Sequence, residues 1–150
     1  MKILMLLAVI MVLGFLQAQG SSLDFKEMID NTLGRDAALN YSSYGCYCGV
    51  DGKGSPKDAT DRCCAKHNCC YRKLKKFKCD TNLLKYKFST SGSKIICEDK
   101  DVCKRLLCQC DRKAAYCFAK NKNTYNKSLQ FYPNSMCTGK TLRCRKRIFH

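Results

Sequence analysis

A mainly α, disulfide-rich single domain is what this sequence predicts: two long antiparallel helices clamped by cystines, an amphipathic helix ahead of them, a glycine-rich loop and a small β-hairpin. Three observations carry that expectation. All 14 cysteines, an even number, lie beyond residue 20 of a 150-residue chain. The stretches from Asp58 to about Leu74 and from about Asp101 to Asn121 set cysteines and apolar residues at helical spacing, with no internal Gly or Pro. The chain also opens on a leader that routes it to an oxidising compartment, where paired cysteines persist.

That leader has a short basic start (Met1-Lys2), an apolar run from Ile3 to Leu16, and a small-x-small cleavage site at Ala18-Gln19-Gly20. Residues 1–20 are therefore expected to be a signal peptide. Residues 21–150 are expected to form one domain with a short basic C-terminal extension. The apolar run is shorter than the roughly 20 residues a membrane-spanning helix needs, and no later stretch matches it. A secreted, extracellular protein without a transmembrane segment follows. Seven disulfides are the natural expectation for the cysteines, and zinc on the Cys-x-Cys pairs would need reduced thiolates. So many crosslinks let a modest core suffice.

In chain order, Leu23, Phe25, Met28, Ile29 and Leu33 recur near i, i+3, i+4 positions and Gly34 closes the run, giving a short amphipathic helix. Gly45 to Ser55, ending at Pro56, is loop. The first long helix starts near Asp58, with Asp58, Thr60 or Asp61 as candidate N-cap groups. Tyr86-Lys87-Phe88 alternates, Ser91-Gly92 can turn, and Lys94 to Cys97 returns, which together predict a hairpin that cystines must support. Cys103, Leu107, Cys110, Asp111, Ala114 and Phe118 mark the second long helix, whose alanines permit close approach. The tail from Tyr125 reads as irregular. Asn40-Tyr41-Ser42 and Asn126-Lys127-Ser128 are N-glycosylation sequons.

The chain has 28 Lys and Arg against 12 Asp and Glu, a formal net charge of +16. Dense basic stretches run through Arg72–Lys78 and Arg143–Arg147. Such a field favours polyanions: anionic phospholipid membranes and bacterial envelopes first, heparan-type glycans or a receptor second, with nucleic acid not the expected partner.

Chemistry concentrates between Tyr44 and Tyr71. A loop with three glycines (Gly49, Gly52, Gly54) precedes a helical run in which Cys63, His67 and either Cys70 or Tyr71 share one face, pinning an imidazole between half-cystines. Such an imidazole suits general base work. On the opposing helix the interior acidic residue is Asp111, on the stripe of Cys110 and Ala114, and a buried carboxylate needs a partner. A His67–Asp111 dyad satisfies both.

These residues resemble one family: YGCYCG followed by a glycine-rich loop, then DRCCxxHxCCY (Asp61 to Tyr71), then CxCDxxAAxC (Cys108 to Cys117), are similar to the calcium loop, active-site helix and third helix of secreted phospholipase A2, nearest to the mammalian non-pancreatic group II branch. The likeness runs the length of the chain and includes all 14 half-cystines. It implies the pairs Cys46–Cys137, Cys48–Cys64, Cys63–Cys117, Cys69–Cys144, Cys70–Cys110, Cys79–Cys103 and Cys97–Cys108, where sequence alone leaves on the order of 10⁵ connectivities. It further implies that His67 takes a proton from a water attacking the sn-2 ester of a glycerophospholipid, that Asp111 orients the imidazole, and that Tyr71 and Tyr86 hydrogen-bond to Asp111. A calcium ion on the carbonyls of Tyr47, Gly49 and Asp51 and on a carboxylate just after the histidine would polarise the ester, aided by the Gly49 N–H.

Two departures bear on that last implication. The residue after His67 is Asn68, which offers one neutral oxygen where the family's catalytic members carry Asp, so calcium should weaken by at least about an order of magnitude. Asp51 stands where the loop usually has Gly. Its carboxylate either folds in to replace the missing charge or points to solvent. Two functions follow: a calcium-dependent lipase of reduced activity acting on anionic membranes, or a catalytically inactive homologue that binds or disrupts them.

Overall fold

The computed structural model describes residues 20–145, with side chains from residue 23 onward. The expected signal peptide, but for Gly20, and the last five residues of the basic tail lie outside the described residues.

Helix α1 (Gly20–Leu33) ends where Gly34 takes a left-handed φ of 117° and its N–H reaches the Asp30 carbonyl at 3.0 Å. One face buries Met28 and Ile29. A short helix absent from the sequence reading follows, α2 (Ala37–Tyr41), and its reason is tertiary: the Asp30 carboxylate of α1 accepts the Ala38 N–H at 2.9 Å. Tyr41 then stacks on Phe118, ring centroids 4.3 Å apart.

The first long helix, α3 (Ala59–Lys76), is capped by Asp58, whose carboxylate accepts the Asp61 N–H at 2.8 Å; Lys73, Lys75 and Lys76 complement the dipole in its last turn. The second, α4 (Val102–Lys120), is capped in the same way by Asp101 on Lys104 N–H at 3.0 Å. Cys63–Cys117 and Cys70–Cys110 join them, so the start of each helix lies beside the end of the other and the pair runs antiparallel. Ala114 and Ala115 are buried in α4, leaving room for the approach. Strands β1 (Phe88–Ser91) and β2 (Lys94–Cys97) form the antiparallel hairpin, Phe88 opposite Cys97. Ile95 is buried beneath it, its N–H donates to the Tyr116 hydroxyl at 2.7 Å, and Cys97–Cys108 ties the hairpin to α4.

The remaining disulfides are Cys46–Cys137, Cys48–Cys64, Cys69–Cys144 and Cys79–Cys103, and no described cysteine is free. Two buried clusters flank the helix pair. One, under the glycine-rich loop, contains Ile29, Tyr41, Tyr44 and Phe118; the other, under the hairpin, contains Met28, Leu74, Ile95 and Leu107. The tail folds into three 3₁₀ turns (Lys122–Thr124, Lys127–Leu129, Asn134–Met136) strung over the loop, with Gly45 N–H donating to the Leu129 carbonyl at 2.8 Å. No described helix is long and apolar enough to cross a membrane.

Candidate active site

Helix α3 presents His67 to α4, and Asp111 meets it: His67 Nε2 lies 2.6 Å from Asp111 Oδ1. Asp111 has no exposed surface and His67 is 12% exposed. A carboxylate can only accept, so Nε2 carries a proton, and in the neutral ring the lone pair is then on Nδ1, the tautomer a general base requires. Tyr71 donates to Asp111 Oδ1 at 2.6 Å and Tyr86 to Oδ2 at 2.5 Å, so three donors converge on one buried carboxylate. Burial, then the charge of Asp111, pushes both phenols well above their ordinary range, so they remain O–H donors across working pH.

Further contacts hold this group, and of these the sequence pointed only to Tyr71, on the face of His67. Phe25 of α1 stacks on the imidazole at 4.4 Å between centroids, and Tyr71 packs beside it at 4.3 Å. The Asp24 carboxylate accepts the Tyr86 N–H at 3.0 Å, which draws Tyr86 out of the hairpin and against α1. A period-3.6 pattern marks Phe25 as buried but does not say against what.

The glycine-rich loop is fastened to α3 by Asp61, which the sequence reading considered only as an N-cap. Its buried carboxylate accepts three backbone N–H groups, those of Cys46, Tyr47 and Lys57, each at 2.8 Å. Gly45 has a φ of 59°, and a Cβ there would strike that carboxylate, so the loop admits only glycine at this point. Tyr47 spans the loop, donating to the Gly54 carbonyl at 2.7 Å.

The loop and α3 meet at Asn68. Its Nδ2 donates to the carbonyl oxygens of Val50 at 2.9 Å, Tyr47 at 3.1 Å and, less closely, Asp51 at 3.4 Å. Arg72, one turn further along α3, also donates to the Asp51 carbonyl, at 3.3 Å. The Asp51 side chain is exposed, and its carboxylate forms no hydrogen bond or ion pair among the described residues; only its backbone takes part. Among the described residues no three His, Cys, Asp or Glu side chains are grouped so as to hold a metal ion. This donor set does not fit a tightly held calcium ion. The oxygens available are neutral, two of the three carbonyls expected to bind the ion, those of Tyr47 and Asp51, already accept from an amide, and a guanidinium adds positive charge where a divalent cation would sit. Gly49, the third expected ligand, has a φ of 82°, and a Cβ there would strike the Ser42 carbonyl.

A cleft of about 850 Å³ opens onto the imidazole, walled by Leu23, Phe25, Ile29, Tyr41, Tyr71 and Phe118, with Gly49 and Asn68 beside His67. Leu23, Leu39 and Val50, also among its lining, are about half exposed, which gives the cleft an apolar rim.

Fold and site together define a class: cystine-clamped antiparallel helices that present a His–Asp couple to an apolar cleft under a glycine-rich loop. The phospholipase A2 family model matches residues 22–130. Membrane-associated phospholipase A2 of Homo sapiens is 58% identical over 144 residues, covering 96% of this chain and all of that protein. Its counterpart in Mus musculus is 54% identical over 146 residues, with 96% and 100% covered. Group IIE secretory phospholipase A2 of Homo sapiens is 46% identical over 125 residues, with 83% and 87% covered. The chain belongs to the phospholipase A2 family.

Proposed function

We propose that this protein is a secreted phospholipase A2 that docks on anionic phospholipid membranes, draws a lipid chain into the apolar cleft, and hydrolyses the sn-2 ester at a rate lowered by Asn68. The observation that supports it is the His67–Asp111 couple, fixed by two tyrosines and opening on a cleft whose walls suit an acyl chain. In this reading His67 Nδ1 takes the proton of a water as that water attacks the ester carbonyl. Asp111 holds the ring and stabilises the imidazolium that forms. Tyr71 and Tyr86 hold the Asp111 carboxylate in place by hydrogen bonds, and the Gly49 N–H is the candidate donor to the developing oxyanion. Excess positive charge brings the apolar rim to an anionic surface.

The calcium that the family resemblance calls for would polarise the ester, and the neutral, amide-filled site is why the rate is expected to be low. The same amide supports a second reading, in which the protein binds and disturbs anionic or bacterial membranes, or engages a receptor or heparan-type glycan, without turnover. Hydrolysis of phosphatidylglycerol vesicles across millimolar calcium, with His67→Gln as control, separates them. Product release above that control supports the slow enzyme. Release equal to it, with vesicle binding retained, leaves the binder.

A further inference from the structure

Two Asn-x-Ser sequons lie on the described surface, and the chain folds them differently. At Asn126 the side-chain oxygen turns back on its own sequon: Oδ1 accepts the Ser128 N–H at 3.0 Å and the Ser128 hydroxyl at 2.7 Å. Both bonds fall on the oxygen. Asn126 is exposed and its Nδ2 hydrogen-bonds to no described residue, and its backbone is pinned by the Asn126 N–H on the Tyr44 hydroxyl at 2.9 Å. The turn is local, made between residues two apart, so a chain that has not yet folded can adopt it.

Asn40 lies in α2 and Ser42 just past its end, and the sequon hydroxyl makes no bond to the Asn40 amide. Its Ser42 hydroxyl donates instead to the Leu39 carbonyl at 3.0 Å. Leu39 and Ser42 both line the lipid cleft, so an oligosaccharide on Asn40 would stand at its mouth. No residue from 125 to 129 lines that cleft.

We propose that Asn126 carries an N-linked oligosaccharide and that Asn40 does not. The proposal rests on the secreted reading above, since only the secretory route supplies the donor, a lipid-linked oligosaccharyl diphosphate. In the transfer the sugar C1–O bond to the diphosphate breaks and a C1–Nδ2 bond forms. Nδ2 gives one proton to a base of the transferase, and the lipid diphosphate leaves with the electron pair of the broken bond. The sequon hydroxyl, bonded to Oδ1, holds the amide with its nitrogen presented outward.

The test is expression of the full chain in a eukaryotic secretory cell, with medium and cells analysed by mass spectrometry before and after enzymatic removal of N-glycans, which leaves Asp at each former site. The expected result is one glycan on the secreted protein, mapped to residue 126. It should be lost in Asn126→Gln and Ser128→Ala, and kept in Ser128→Thr and Asn40→Gln. If Asn126→Gln fails to fold, the Ser128 pair decides, because both of those variants retain the asparagine. Secreted protein without a glycan, a glycan lost in Asn40→Gln, or two glycans overturns the proposal. Protein found only inside the cell, with residues 1–20 still attached and no glycan, overturns both this and the secreted reading, whereas bare protein in the medium overturns the glycan alone.

Discussion

Asn68 Nδ2 lies 2.9 Å from the Val50 carbonyl oxygen, so an amide group of α3 closes the loop against the helix at the position where the family resemblance places a cation. Two more carbonyls, of Tyr47 and Asp51, turn toward the same nitrogen. The partial positive charge of an N–H₂ group satisfies those oxygens without a metal. On the proposed reading, the order of this loop does not depend on a metal.

Thermal unfolding should therefore be nearly indifferent to calcium. A ligand that binds the native state at a hundred times its dissociation constant stabilises by about 2.7 kcal/mol. Millimolar calcium against chelator should move the midpoint of this protein by far less than that figure implies, whereas Asn68→Asp should acquire a clear, calcium-dependent upward shift. Scanning calorimetry on both proteins measures it.

Removal of the carboxylate of Asp61 should loosen the loop where Asn68 cannot compensate. Asp61→Ala orphans two buried N–H groups, of Cys46 and Tyr47, and a part-buried one of Lys57, and each buried loss costs about 1–3 kcal/mol, so a destabilisation of about 2–5 kcal/mol is expected. Urea unfolding with the disulfides intact should show it. Asp61→Asn keeps two acceptor lone pairs and should fall between wild type and alanine.

Tyr86→Phe removes one of three donors from a buried carboxylate, a change worth about 1.5–3 kcal/mol for a hydrogen bond to a charged group. The backbone bond from residue 86 to Asp24 survives the substitution, so the fold should persist. Any hydrolysis should drop in kcat more than in KM, because Asp111 is less firmly held while the cleft walls are unchanged. Stopped assays of Tyr86→Phe and Tyr71→Phe against the same vesicles would read this split.

Asp24 carries a pH signature. Burial raises its carboxyl above the ordinary value, with the Tyr86 N–H bond pulling the other way. The folded state thus holds this proton more tightly than the unfolded one, and the contribution of Asp24 is fully present below the ordinary carboxylate range and lost as pH rises through the raised value. Asp24→Asn does not titrate and retains an acceptor for Tyr86. Its stability relative to wild type should improve on crossing that window from the acid side and be level on either side of it. Denaturant midpoints at a series of pH values test the sign.

Much of this fold is legible in the sequence for physical reasons. Seven cystines and two uninterrupted helical runs leave little choice of architecture, and a lone interior Asp111 facing a pinned His67 marks the couple before any coordinates are seen. What escaped depends on tertiary contact. Helix α2 exists because Asp30 of a different helix accepts its Ala38 N–H, and no local propensity announces that. The role of Asp61 depends on the loop passing over the start of α3, although Cys48–Cys64 brings the two together and could have pointed there. Tyr86 read as strand, but Asp24 draws its backbone aside and β1 begins at Phe88. The orientation of the Asp51 side chain was open in the sequence, because a loop carbonyl and its own side chain can face opposite ways.

The most direct test is a calorimetric calcium titration of wild type and Asn68→Asp, read beside vesicle hydrolysis on the same samples. Wild type should bind calcium at least about tenfold more weakly than the variant, and the variant should gain hydrolysis in step. Equal affinity in the two proteins would contradict this expectation, since the amide would then be no obstacle to the cation.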